Sequence, residues 1–166
     1  MCFQYQEIKT MAIFHMSAQT ITRSKGHSSV AAAAYRHGEK LIDEHTGEIH
    51  DYSKKKGISD SVILIPESAD RNFLKPAYLW NTIEKSEKRK DAQLAREFNI
   101  ALPVEMTDEQ KKALAIDFCQ ENFVKNGMIA DIAFHKLDSD NPHFHVMLTT
   151  RLLTPDGAGF GQKERK

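Results

Sequence analysis

Long apolar runs, paired cysteines and an excess of charge of either sign are all missing from this chain of 166 residues, and each absence removes a class of protein. No segment is apolar over enough residues to span a bilayer, and the N-terminus lacks the apolar core of a secretory signal, so membrane insertion is not expected. The two cysteines, Cys2 and Cys119, stand far apart and in no redox or zinc-ligand spacing. That argues against a thiolate metal site and for a reducing, cytoplasmic setting. With 23 basic and 23 acidic residues the formal net charge is zero, which predicts no global attraction to nucleic acid but leaves a local basic face open. The chain has no internal repeat or low-complexity tract, and its length suits one domain with an ordinary core.

What the chain does have is histidine in a pattern. Asn141-Pro-His-Phe-His-Val-Met-Leu-Thr-Thr150 alternates with period two behind a proline turn, which predicts a strand. His143 and His145 then share one face, with Phe144, Val146 and Leu148 on the other. Upstream, Gly127 to His135 reads as a second strand, with Ala130, Ile132 and Phe134 on one side and Asp131 and His135 on the other. The short polar connection Lys136 to Asn141 makes the two strands antiparallel neighbours and brings His135 beside His143 and His145. A lone strand histidine is most often structural, and a His-x-His pair leaves the balance even. A third imidazole from a neighbouring strand tips it toward a metal site with open positions, which suits catalysis better than a closed structural site.

Ala12 to Ala18 reads as a first strand, followed by a polar loop, Thr22 to His27. Ser28 or Ser29 can cap a helix running through Val30, four alanines and Tyr35 toward Glu39. Residues 41–52 resemble a small hairpin turning at Thr46-Gly47, and Ser61 to Pro66 is a short apolar strand placed toward the sheet interior. Pro76 suits the first turn of a helix carrying Leu79, Trp80 and Ile83. Leu94 to Leu102 alternates, with Leu94, Phe98, Ile100 and Leu102 on one face and Glu97, Asn99 and Ala101 on the other. Thr107 to Gln110 is a capping box opening a helix that ends at Asn126-Gly127, with Leu114, Ile116, Phe118, Phe123 and Val124 as its core stripe. The tail from Thr154 is loop-like. These elements predict an α+β fold: a central antiparallel sheet, helices packed on its apolar face, and a polar face holding Glu97, Asn99, Asp131, His135, His143 and His145.

The Ala31 to Ala34 run gives Tyr35 a different setting from Tyr5, Tyr52 and Tyr78, since a ligand backbone could approach so small a helix face; the ordinary alternative is a half-buried helix tyrosine. Ala12-Ile-Phe-His15, Arg23 to Arg36, Glu87 to Phe98, Asn141-Pro-His-Phe-His145 and Leu153-Thr-Pro-Asp-Gly157 together resemble the MobA/MobL family of plasmid conjugative relaxases, in its TraA-type and staphylococcal nicking-enzyme branches. The resemblance spans roughly residues 11–160. It implies a relaxase domain of the HUH-endonuclease fold over residues 11–153, after an extension of residues 1–10 and before a tail (154–166) that leads to further domains in a longer protein. It also implies a DNA-nicking transesterase that cleaves one strand at an origin of transfer through a covalent 5′-phosphotyrosine.

In that reading Tyr35 is the nucleophile, His135, His143 and His145 hold a divalent cation (Mn²⁺ or Mg²⁺), and Glu97 is an acidic residue beside them. Its replacement by Gln is expected to weaken metal binding or nicking with little effect on stability. Arg23, Lys25 and Arg36 are favoured as DNA contacts, each also readable as an ordinary solvated charge. The implied partners are single-stranded origin DNA, relaxosome accessory proteins and a type IV secretion coupling protein. A cupin-like metalloenzyme is the main alternative, disfavoured because no glutamate follows His145 closely. An HUH replication initiator usually carries its tyrosine downstream of the histidines, and a non-catalytic DNA-binding module would not need the triad.

Overall fold

The computed structural model describes residues 15–163. The extension of residues 1–10 and positions 12–14 of the first expected strand lie outside the described residues. The strands are β1 (Met16–Thr22), β2 (Lys40–Ile42), β3 (Ile49–Asp51), β4 (Ile58–Leu64), β5 (Gln93–Ala101), β6 (Ala130–His135), β7 (His143–Leu148), β8 (Arg151–Leu153) and β9 (Phe160–Lys163). The α-helices are α1 (Ser29–His37), α2 (Pro76–Ser86) and α3 (Asp108–Asn122). Among the described residues, five strands form one antiparallel sheet in the order β1-β5-β7-β6-β4, while β2-β3 and β8-β9 are separate hairpins. The expected α+β class and central antiparallel sheet are both present. No helix of the described residues is long and apolar enough to cross a membrane.

Helices lie on both faces of that sheet rather than one. Ala130, Ile132, Phe134, Phe144, Val146 and Leu148 pack with Ala115 and Cys119 of α3. Met147 and Ile63, which alternate with those residues along their strands, face the opposite side and pack with Val30, Ala33 and Ala34 of α1 and Leu79, Trp80 and Ile83 of α2. The face expected to be polar is therefore half covered, and the histidines occupy its uncovered end.

Three local expectations change for identifiable reasons. Leu94 joins Ala95 in the α1–α2 core because the β1–β5 register slips between Ile21 and Thr22, inserting one extra β5 residue and reversing the alternation there. The strand containing Ser61 is an edge strand, and only Ile63 within it is buried, in the apolar stretch Val62–Leu64. The buried row of α3 is Lys111, Ala115 and Cys119, so small residues let the helix approach the sheet. Leu114 and Phe118 are displaced to its flank at 42% and 37% exposure, where Phe118 meets Phe123 edge-on and Phe123 stacks on Phe98. Burial pushes the Cys119 thiol up to about 12, leaving it an inert core group.

The tail is not all loop, since β9 pairs back on β8. The turn between them is tied to the α2 approach by the Asp70 amide, which donates to the Gly157 carbonyl at 2.9 Å. Gly157 has φ +71°, and a Cβ there would lie 1.7 Å from the Ser68 carbonyl oxygen, whereas Gly26, at φ +74°, has nothing within 4 Å. Both Gly→Ala changes meet the left-handed penalty of about 1–2 kcal/mol. Gly157→Ala is expected to cost roughly 2 kcal/mol more through the clash. Urea unfolding of both variants checks this, and equal midpoints would refute the docking of the turn.

Candidate active site

The β6–β7 register places His135 directly opposite His143, with His145 one step along the same face opposite Ala133. One ring nitrogen from each of the three lies within 4.8 Å of the others, and the ring centroids are 4.7–5.5 Å apart. The hairpin predicted from sequence thus brings the three histidines together. Two of them also have a hydrogen-bond partner for the remaining nitrogen. His135 Nε2 faces the Arg36 carbonyl at 3.2 Å and His143 Nδ1 faces the Asn141 carbonyl at 2.9 Å. A carbonyl oxygen only accepts, so those nitrogens carry the protons, and Nδ1 of His135 and Nε2 of His143 are left as lone-pair donors. His145 Nδ1 is buried with no partner inside hydrogen-bond distance, and its nearest acid is Glu97 Oε1 at 3.6 Å.

The protonation states suit a cation. Burial, then the charges of His145, Lys55 and His143, lower His135 to about 3. Burial also lowers His143, against the opposing pull of the Asn141 carbonyl. Neutral imidazoles with oriented outer nitrogens are the donor set that a divalent transition metal takes, so the residues fit the implied ion.

Glu97 is 3% exposed and is no surface charge. Arg36 grips it through two bonds, Nε to Oε2 at 3.1 Å and a terminal nitrogen to Oε1 at 2.6 Å, and Gln19 of β1 donates to Oε1 at 3.0 Å. Burial alone would raise its pKa, but the contacts with His145 and Arg36 outweigh burial and hold it at about 2. Arg36 therefore serves both sides of the site, its guanidinium fixing Glu97 behind His145 and its carbonyl fixing His135.

The nucleophile candidate comes next along α1. Ser28 caps the helix, accepting from the Ala31 amide, and the Ser29 amide and hydroxyl both donate to buried Glu84 of α2. At the other end, His37 Nε2 contacts Asp131 Oδ1 at 2.5 Å, and Trp80 of α2 donates to Asp131 Oδ2 at 2.7 Å. Burial would lower His37, yet the charge of Asp131 and the bond to it raise it above its usual value. Tyr35 is held between these anchors at 42% exposure, one residue from the carbonyl that touches His135.

Two neighbours of Tyr35 are not favoured as site residues from sequence, although Lys54 to Lys56 stand among the basic candidates. Tyr52 meets its ring edge-on at 5.2 Å between centroids. Lys55 places Nζ 3.3 Å from the ring centroid and donates to the Tyr35 carbonyl at 3.0 Å. Burial first, then the Arg36 charge, lowers the Lys55 pKa, with Glu97 opposing. Only the lysine run Lys54–Lys56 hinted at this position. Of the expected DNA contacts, Lys25 is exposed. Arg23 instead spends its guanidinium on the Glu84 carboxylate and the carbonyls of Glu84, Glu87 and Arg89, which makes it a structural clasp.

Burial of Glu97 against Arg36 reverses the expectation that its replacement spares stability. A carboxyl held at about 2 instead of 4.5 stabilises the fold fully above pH 4.5, and that contribution disappears as pH falls through 2. It amounts to about 3 kcal/mol. Glu97→Gln is expected to cost on the order of 2–3 kcal/mol at pH 7, with Arg36 left unpaired, and to flatten the acid limb between pH 4.5 and 2. Thermal unfolding across that range tests it; an unchanged acid limb would show that the ion pair contributes nothing.

The MobA/MobL family model matches residues 27–166. The mobilization protein MobL of Acidithiobacillus ferridurans is 37% identical over 89% of this chain and 45% of its own length. The conjugal transfer protein TraA of Agrobacterium fabrum is 40% identical over 90% of this chain and 14% of its own. The chain thus spans less than half of MobL and about one seventh of TraA. A solved structure published as "Molecular Basis of Vancomycin Resistance Transfer in Staphylococcus aureus" superposes with a TM-score of 0.86 at 34% identity, over 93% of this chain and 78% of that one. With the family model matched over residues 27–166 and these relatives aligned over most of its length, the chain belongs to the MobA/MobL family of mobilization and conjugal-transfer relaxases.

Proposed function

We propose that this domain nicks one DNA strand at an origin of transfer and holds the cut end covalently. The observation that carries this reading is the seating of the Tyr35 turn of α1 on the triad through the Arg36 carbonyl and His135. In the proposed reaction Tyr35 Oη gives up its proton and bonds to the scissile phosphorus. The bond from phosphorus to the 3′ oxygen breaks, and that oxygen takes a proton to leave a free 3′-hydroxyl. The tyrosyl phosphodiester conserves the broken bond, so a later attack by a 3′-hydroxyl reseals the strand and restores the phenol.

A cation bound by His135, His143 and His145 would polarise the phosphoryl oxygens and offset the charge that develops on them. The chain's own residues do the remaining work. The anchors at Glu84 and Asp131 fix α1, and with it the nucleophile, relative to the histidines. The carbonyls of Arg36 and Asn141 hold His135 and His143 in their ligating tautomers, and the Glu97 carboxylate lies behind His145 at 3.6 Å. Arg36 is committed to Glu97, which leaves Lys25 and Lys55 as the nearer candidates for phosphate contacts. Mn²⁺ suits three imidazoles better than Mg²⁺. Single-stranded origin DNA is the proposed substrate, with relaxosome proteins and a secretion coupling protein as the proposed partners of a cytoplasmic enzyme. The family assignment leaves no support for the cupin-like alternative.

Tyr35→Phe is expected to fold normally and to form no covalent adduct on supercoiled plasmid carrying the cognate origin, because it lacks only the phenolic oxygen. Chelation should block cleavage by wild-type protein, and His143→Ala should weaken Mn²⁺ binding on the order of 10-fold or more. A wild-type level of adduct with the Phe variant would transfer the nucleophile's role to another tyrosine. Unchanged calorimetric Mn²⁺ affinity in His143→Ala would remove that histidine from the shell.

A further inference from the structure

We propose that Lys55 is a catalytic phosphate-binding residue, its ammonium gripping the scissile phosphodiester from the side opposite the histidine-bound cation; this rests on the nicking reading above. The starting point is an electrostatic anomaly. Lys55 is half-buried, and its described contacts are the Tyr35 ring face and the Tyr35 carbonyl. Among the described residues no carboxylate forms a salt bridge with it; Glu97, whose charge reaches it, is already paired with Arg36. Its positive charge also acts on His135 and His143. A cation is therefore held beside a site that itself takes a cation, an arrangement that opposes loading of the metal.

An anion between the two removes the conflict. A phosphodiester has two non-bridging oxygens, so one can face the histidines while the other accepts from Nζ. The lysine has donors to spare, since an ammonium carries three and the Tyr35 carbonyl takes one. The geometry also keeps a phosphate oxygen bonded to Nζ close to the Tyr35 side chain. Nζ lies 3.3 Å from the centroid of the nucleophile's ring, so an oxygen bonded to it is held within the reach of that side chain. The chain supplies a device for keeping the ammonium there. Lys55 follows the β2–β3 hairpin, and its amide donates to the Tyr52 carbonyl at 2.9 Å, while Tyr52 packs edge-on against Tyr35.

This role predicts opposite movements in two affinities, which simple loss of structure would not produce. Calorimetry measures Mn²⁺ binding to the protein without DNA. Fluorescence anisotropy measures binding of a labelled 12-nucleotide oligo-dT strand to Mn²⁺-loaded protein, both in a Tyr35→Phe background that prevents covalent capture. Lys55→Met is expected to bind Mn²⁺ more tightly by a few-fold, because the neighbouring charge is gone. It should bind the strand roughly 10-fold more weakly and show a smaller salt dependence, while Lys55→Arg keeps strand binding near the parent's.

Weaker or unchanged Mn²⁺ binding in Lys55→Met, or unchanged strand binding, would overturn the proposal. With Tyr35 restored, Lys55→Met should slow nicking about 100-fold on saturating DNA, and wild-type rates there would also refute it. A chain that nicks no origin but shows the two opposed affinity changes would sink the nicking function while leaving Lys55 as a phosphate ligand.

Discussion

The carboxylate of Asp131 is the point on which the arrangement of the site depends. It stands on β6, four residues before His135, on the face covered by α1 and α2. Its two oxygens take one bond from each helix, from His37 of α1 and Trp80 of α2. A buried carboxylate with a single partner would be costly, whereas here both oxygens are satisfied and His37 is favoured in its charged form. The strand that carries His135 is thereby the strand to which the helix of Tyr35 is bolted. Loss of this contact would leave the histidines on their hairpin but free α1 to move Tyr35 and the Arg36 carbonyl together.

A second layer of constraint comes from groups that a sequence does not label. Three imidazoles bind one cation only if three nitrogens present lone pairs in the same direction. Two of the groups that enforce this are main-chain carbonyls, at Arg36 and Asn141. The Asn141 carbonyl belongs to the proline-marked turn leading into β7, so the turn that starts the strand also sets the tautomer of its first histidine. Arg36 acts through backbone and side chain at once, which explains why its guanidinium serves Glu97 within the protein.

The histidine hairpin and the capped helices were legible because each is local. Period-two alternation, a short polar connection, a serine cap and a capping box are read within a dozen residues, and the structure reproduces all of them. What sequence could not supply were facts created by packing. The β5 bulge reverses the face of Leu94 through a slip against β1, a strand some 70 residues away. The α3 stripe was legible in part, since Ile116, Phe123 and Val124 join the core. The buried row within the helix is nevertheless Lys111, Ala115 and Cys119, with the lysine donating to the Leu137 carbonyl, and Leu114 and Phe118 are displaced. Arg23 looked like a phosphate contact because it stands near Tyr35, and its real partners on α2 and the following loop are more than 60 residues distant.

Lys55 and the alanine run show how exposure and rigidity are reconciled at Tyr35. The proposed nucleophile would have to stay accessible to DNA, yet not wander. Ala33 and Ala34 are fully buried, so α1 lies close on its neighbours and its backbone is fixed by the side Tyr35 does not use. The exposed ring is then held by Tyr52 at its edge and Lys55 on its face. These contacts fix its orientation without covering it. The small residues beside Tyr35 therefore act by letting the scaffold, rather than the ligand, come close, and the open side of the helix is left to the strand that the triad and Lys55 would bind.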